Sequence, residues 1–441
     1  MLFDEPPQLP KGLPALDSAG AAHLSAVQAH LVDQVRAYPH ALMPFDEWMD
    51  RALYAPGLGY YTAGSAKFGG AALQGDFTTA PELTPLFSQT LAQQIAQVLQ
   101  ACGTVNVLEF GAGSGALAAS VIPALRALGL EPAYFILEVS PDLRERQQAR
   151  LAALSAEVTW LETLPTDFMG CVVANEVLDA MPAKLFRWGE PISDSAGRPK
   201  DAIAPTPTNI HTDPHDGSTA PILHEIHVGL DAAATSNPDQ SNSLTAEGEP
   251  ALPFRFVGRP ADPGLVDAVA PRLPPYPGYQ SEINLRAEAW VRQMGAWLTK
   301  GVALLIDYGF PQREYYHPQR AEGTLMCHFR HHAHSQPLIY PGLQDITTHV
   351  DFTAMADAAL DGGLDVLGYT SQARFLTNAG LIQILAQLDQ EQSLAHAQAM
   401  ASVQKLVSEA EMGELFKVLA VGRGIDHPLI GFATGDRRGR L

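Results

Sequence analysis

From Val105 onward, short runs that are apolar on both faces alternate with segments of helical period. "VNVLEF" precedes a helix through Leu128, "AYFILEV" precedes a helix carrying Arg144 and Arg150, and "EVTWLE" and "GCVVANE" follow. Strands buried on both faces and separated by helices need a parallel sheet with crossover connections, so the sequence predicts a doubly wound, Rossmann-like α/β fold. Between the first strand and its helix lies "LEFGAGSGAL", in which Gly111, Gly113 and Gly115 alternate. Such a turn lets backbone approach a ligand and points helix N–H groups at it.

The glycine spacing narrows the ligand. G-x-G-x-G is not the G-x-G-x-x-G of the pyrophosphate-binding fingerprint, which disfavours a dinucleotide and a dehydrogenase. Glu138 ends the next strand, some twenty residues on, where an acid can take both hydroxyls of a ribose. Glu109, two positions before the first glycine, adds a carboxylate that phosphates would avoid and that a sulfonium with an ammonium group would favour. S-adenosylmethionine is such a ligand, with Glu109, Gly111, Gly113, Gly115 and Glu138 as its expected binding residues.

At the end of the fourth strand, "VVANEVLDAMP" places Asn175 and Glu176 beside that pocket, with Asp179 one turn on. Methyl transfer is an in-line displacement, so the protein mainly positions a nucleophile and disposes of a proton. A guanidinium needs carboxylates to orient it, and Glu176 with Asp179 supplies two. Asn175, Glu176 and Asp179 are therefore the expected catalytic residues. Asp307 and Tyr308, in "LLIDYGF", end the fifth strand on the same rim. The histidines of "CHFRHHAH" (His328, His331, His332 and His334) read as loop residues lining or gating the cleft rather than metal ligands, and no metal is expected.

The rest of the chain sets boundaries. Residues 1–104 read as a helical and lid region that includes a Gly- and aromatic-rich loop. Residues 105–188 and 286–441 read as two parts of a methyl-donor-binding core, and residues 189–285 as an insertion whose short strands are expected to extend the sheet in antiparallel fashion. No Phe, Trp or Tyr occurs between Gly189 and Pro253, so two polar stretches there are expected to be disordered. The 28 Lys+Arg against 48 Asp+Glu give a formal charge of -20, which disfavours nucleic acid and favours a cationic protein segment as partner. Three scattered cysteines, no basic-then-apolar leader and no apolar run of ~18 residues predict a cytoplasmic protein that does not span a membrane.

The ordered motifs "ALYAPGLGYY", "GDFTTAPELTPLF", "LEFGAGSGAL", "ILEVSPDLRERQ", "NEVLDAMPAKLF", "LLIDYGF", "GTLMCHFRHHAH", "DITTHVDF" and "MGELFKVLAVGRG" resemble the MidA-like family of class I methyltransferases. The resemblance spans roughly Ala41 to Leu441. Its glycine motif is met with Ala112 where proline is common, and its N-E-x-x-D-x-x-P motif is met by Asn175, Glu176, Asp179 and Pro182. The resemblance implies S-adenosylmethionine as cofactor and protein arginine methylation, with a respiratory complex I subunit as one expected acceptor, since mitochondrial members assist complex I assembly. A small-molecule methyltransferase and a donor-binding assembly chaperone are the alternatives. The polar inserts depart from the family.

Overall fold

The computed structural model describes residues 7–64, 79–189, 221–231, 252–387 and 393–441. Both expected disordered stretches, and the glycine-rich part of the expected lid loop, lie outside these residues. The chain begins with helix α1 (Ser18–Ala37), capped by the Asp17 carboxylate on the Gly20 N–H at 2.7 Å. Strand β1 (Leu42–Pro44) and helix α2 (Phe45–Tyr54) follow. Helices α3 (Ala80–Leu83) and α4 (Pro85–Cys102) lead into the expected alternation. This runs β2 (Asn106–Phe110), α5 (Ala116–Ala127), β3 (Ala133–Leu137), α6 (Pro141–Leu151), β4 (Val158–Leu161) and β5 (Phe168–Asn175).

Next come β6 (Lys184–Gly189), β7 (Ile222–Leu230), β8 (Phe254–Pro260) and β9 (Gln280–Ile283). After a helix over Leu285–Trp297 the chain forms β10 (Leu298–Phe310), β11 (Met326–Phe329), β12 (His332–His334), β13 (Asp345–Thr347) and β14 (Val350–Asp351). A helix over Phe352–Asp361 leads to β15 (Asp365–Ser371), and β16 (Phe416–Arg423) completes the strands described.

The central sheet has the order β15-β16-β10-β5-β2-β3-β4, with β14 paired to the end of β10. Its strands from β10 to β4 are parallel, as expected, whereas β16 lies antiparallel between β10 and β15. Alternation along each strand explains the double winding. Cys171 and Val173 of β5 face one core with α4 and α5, while Val172 and Ala174 face another with the helices at Leu285–Trp297 and Phe352–Asp361.

The antiparallel strands are present as expected, but they form a sheet of their own rather than lengthening the central one: β1-β7-β6-β9, with β8 on β7. Long-range pairing is the reason. Strand β1 supplies an edge to β7 that the local pattern of residues 184–283 does not reveal. Helices α1 and α2 then cover this sheet, burying Leu31, Phe45 and Trp48 against Ile226, Val228 and Phe254. A second correction concerns "CHFRHHAH". The stretch expected as a loop is a small sheet, β12-β11-β13, turned at Arg330 and His331, both with left-handed φ (47° and 66°). Neither residue is a glycine, so the sequence carried no ordinary turn signal.

Candidate active site

A cleft of about 1400 Å³ opens at the carboxyl ends of β2, β3 and β5, where doubly wound sheets bind ligands. Seven of the eight expected site residues line it, Glu109, Gly111, Gly113, Glu138, Asn175, Glu176 and Asp179, together with Gly115's neighbours Ser114 and Ala116. Gly115 itself stands one step back as the N-cap of α5, with φ 81° and its ideal Cβ position 3.4 Å from the Gln147 backbone. Gly111 and Gly113 also have left-handed φ (60° and 51°), and nothing lies within 4 Å of a Cβ built on Gly113. The turn therefore presents bare backbone to open space, which is the form a nucleoside ligand needs.

Glu138 is held in place by two donors. Its Oε1 accepts from the Ser140 N–H at 2.9 Å and its Oε2 from Gln147 Nε2 at 2.9 Å. The same Gln147 nitrogen donates to the Gly113 carbonyl at 2.9 Å, and Trp160 Nε1 donates to Gln147 Oε1 at 2.9 Å. Gln147 is thus the fully buried link between the glycine turn and Glu138, and the sequence reading missed it. Glu109 is 3% exposed and accepts from the Tyr134 hydroxyl at 2.7 Å. Burial pushes its carboxyl up to about 8, against the opposing pull of the Tyr134 hydrogen bond.

The side of the cleft at the end of β5 is built on a strained turn. Glu176 follows the last residue of β5 with φ 55°, a conformation that costs a non-glycine residue about 1–3 kcal/mol and that clusters at functional sites. Its N–H donates to the Ile306 carbonyl at 2.9 Å, and Asn175 Nδ2 donates to its Oε1 at 3.1 Å. Burial, with the Asp179 charge adding to it, pushes the Glu176 carboxyl up to about 8. Asp179 is 2% exposed, and burial raises its carboxyl as well, although the Tyr308 hydroxyl opposes this. Asn175 Oδ1 and Asp179 Oδ1 are buried without a hydrogen-bond donor among the described residues.

Three further parts went unread in the sequence. Tyr54, Tyr60 and Tyr61 line the cleft; Tyr54 and Tyr61 stack with ring centroids 5.4 Å apart. The Tyr54 hydroxyl donates to the Ala180 carbonyl at 2.9 Å and that of Tyr61 to Asp345 Oδ1 at 2.8 Å. The Gly-Tyr-Tyr run after α2 was the available signal. Asp307 is not a cleft residue: its buried carboxylate accepts from the backbone N–H groups of Leu178, Asp179 and Tyr308. Of the four histidines singled out, His331 lines the cleft, His328 lies on β11, and His332 and His334 lie on β12.

Seven carboxyl side chains line the cleft against three arginines, so the site favours cations. The glycine turn, the acid at the end of β3 and the strand order β4-β3-β2-β5-β10-β16-β15 together define a class I S-adenosylmethionine-dependent methyltransferase. Residues 90–370 match the family model described as "Putative S-adenosyl-L-methionine-dependent methyltransferase", and the chain belongs to that family, the one its ordered motifs indicated. A crystal structure from Burkholderia thailandensis with S-adenosyl-homocysteine bound is 42% identical, with TM-score 0.79, covering 98% of this chain and 100% of that one. Mitochondrial proteins named protein arginine methyltransferase NDUFAF7 are also similar. The Drosophila melanogaster homolog is 25% identical over 89% of this chain and 85% of its own length, and the Homo sapiens protein is 24% identical over 85% and 79%.

Proposed function

We propose that the protein methylates arginine side chains of a protein acceptor, with Glu109, the glycine turn and Glu138 holding the donor and with Asn175, Glu176 and Asp179 serving the acceptor. One observation carries this reading. Two buried carboxyl groups, Glu176 and Asp179, share a strained turn beside the donor side of the cleft, and the unpartnered Asp179 Oδ1 awaits a donor. A guanidinium supplies both the charge and the paired N–H groups that such a site lacks. An unpaired buried acceptor is costly, so the site binds that cation in preference to a neutral small molecule.

When bound, S-adenosylmethionine supplies an electrophilic methyl group on a sulfonium. The acceptor nitrogen is held in line by the two acids, its lone pair forms the new carbon–nitrogen bond, and the carbon–sulfur pair stays on sulfur. The nitrogen then sheds one proton, which Glu176 is suited to take because burial already favours its protonated form. The relatives named as arginine methyltransferases support this acceptor class. We further propose a respiratory-complex subunit as the acceptor, the one the family resemblance implies, and the cytoplasm as the compartment of the reaction.

The test is a labelled-methyl assay on a basic peptide carrying arginine, and on the same peptide with lysine in its place. Label should appear on arginine alone. Glu176→Gln, which keeps shape and removes charge, should lower kcat by roughly a hundredfold at unchanged donor affinity, since the lost interaction acts in the transition state. Label confined to small molecules, or full activity in Glu176→Gln and Asp179→Asn, would refute the reading.

A further inference from the structure

The chain that leaves α2 folds straight back on it. The Tyr60 N–H donates to the Ala52 carbonyl at 3.0 Å and the Tyr61 N–H to that of Leu53 at 2.9 Å. Gly59 makes the reversal possible: a Cβ there would stand 2.6 Å from the Leu53 carbonyl and the Ala55 nitrogen, an approach only glycine permits. The fold-back brings Tyr54, from the end of the helix, and Tyr60 and Tyr61, from the returning chain, to the cleft. Tyr54 and Tyr61 stack at 5.4 Å with 21° between their planes, and Tyr60 stands at 80° to Tyr61 with centroids 5.0 Å apart.

Tyr54 reaches the acid turn. Its hydroxyl donates to the Ala180 carbonyl at 2.9 Å, one residue on from Asp179. Tyr61, whose hydroxyl donates to Asp345 Oδ1 at 2.8 Å, backs one face of the Tyr54 ring. Both phenolic protons are therefore committed and both rings are fixed. What half-buried Tyr54 offers the cleft is π surface rather than a donor.

Building on the arginine-acceptor reading, we propose that Tyr54 binds the acceptor: its ring, anchored at Ala180 and backed by Tyr61, is the surface on which the flat guanidinium stacks while Glu176 and Asp179 take its N–H groups. The face of a phenol ring carries negative charge density and attracts a cation, most strongly where water is excluded. Carboxylates select charge, and they accept an ammonium as well as a guanidinium. A ring face adds selection for a planar, weakly hydrated cation. The guanidinium carries its charge before and after methyl transfer, so the contact serves ground state and transition state alike. It belongs to KM, whereas the Glu176 contact belongs to kcat.

Tyr54→Phe keeps the ring and removes the hydroxyl, and one, two or three ring fluorines on that variant then withdraw charge from the face at nearly constant shape. KM for the arginine peptide should lie within about threefold of wild type in Tyr54→Phe, climb roughly twofold with each fluorine and reach about tenfold in Tyr54→Leu, with kcat little changed. The fluorinated forms keep the packing, so they carry the test if Tyr54→Leu does not fold. A flat series, or a fall in kcat with KM unmoved, overturns the proposal. The donor's sulfonium is the other cation in the cleft, so calorimetry compares S-adenosylmethionine with neutral S-adenosyl-homocysteine across the series. Fluorination that weakens the first and spares the second overturns the assignment to the acceptor. Label on arginine with a flat series leaves the acceptor reading standing, whereas absence of label on arginine with the wild-type protein overturns both.

Discussion

At the scale of single residues, the cleft carries acids that burial holds in their protonated form, and this links function to pH. Glu109 and Glu176 both rise from an ordinary 4.5 to about 8, burial being the main cause. A raised folded-state value means that the unfolded chain loses the proton first, so the empty protein loses stability as pH rises from about 4.5 to about 8. Glu176→Gln imitates the protonated form. It should therefore raise the melting temperature by a few degrees, on the order of what ~1–2 kcal/mol gives, at pH 8, and leave it almost unchanged near pH 5. Scanning calorimetry at the two pH values checks this, and equal shifts at both would contradict it. Gln147 makes a second case. Gln147→Ala removes the donor shared by Glu138 and the Gly113 carbonyl, and should weaken S-adenosyl-homocysteine by roughly tenfold, about 1.4 kcal/mol, in titration calorimetry. The glycines and Glu138 were legible because spacing along one strand-turn-helix unit fixes their places. Gln147 and the three tyrosines Tyr54, Tyr60 and Tyr61 were not, since nothing local says which face of a helix or which part of a loop meets the cleft.

Among elements, the short helix α3 acts as a latch on the donor side. Its Glu82 carboxylate pairs with Arg150 of α6 at 3.1 Å and accepts from the Ser114 hydroxyl of the glycine turn. Both charged side chains are well exposed, so the pair contributes little to overall stability. Its effect belongs to the turn it steadies. Glu82→Gln should weaken donor binding a fewfold, roughly 0.5–1 kcal/mol, with a melting temperature within about a degree of wild type. A large loss of stability with donor affinity intact would show that α3 serves the fold instead. The alternation of strand and helix was readable at this scale because periods of 2 and 3.6 are local. The small sheet at residues 326–347 was not. Its turn residues, Arg330 and His331, adopt left-handed φ without glycine, and its third strand, β13, pairs with Met326–His328 across the intervening chain.

For the whole molecule, the two polar stretches are attached where the second sheet is already closed. Gly189 lies opposite Ile222, and Leu230 opposite Phe254, as paired residues of adjacent antiparallel strands. The chain ends that bracket each stretch therefore sit at hairpin spacing, which an Asn-Gly turn can join. Replacing residues 190–221 by such a turn should leave the melting temperature within about two degrees, because shortening a loop changes closure entropy only slightly; a large drop would show that the stretch packs on the body. The order of strands has a different consequence. Strand β16 lies between β10 and β15, which contacts no other strand of the sheet. A chain broken off between Ser371 and Phe416 leaves β10 with a bare edge of eight residues and β15 without its neighbour. Such an exposed apolar edge invites aggregation. The fold thus separates finished chains from unfinished ones: a late premature stop or frameshift yields not a weakened enzyme but a protein that cell quality control would recognise as misfolded.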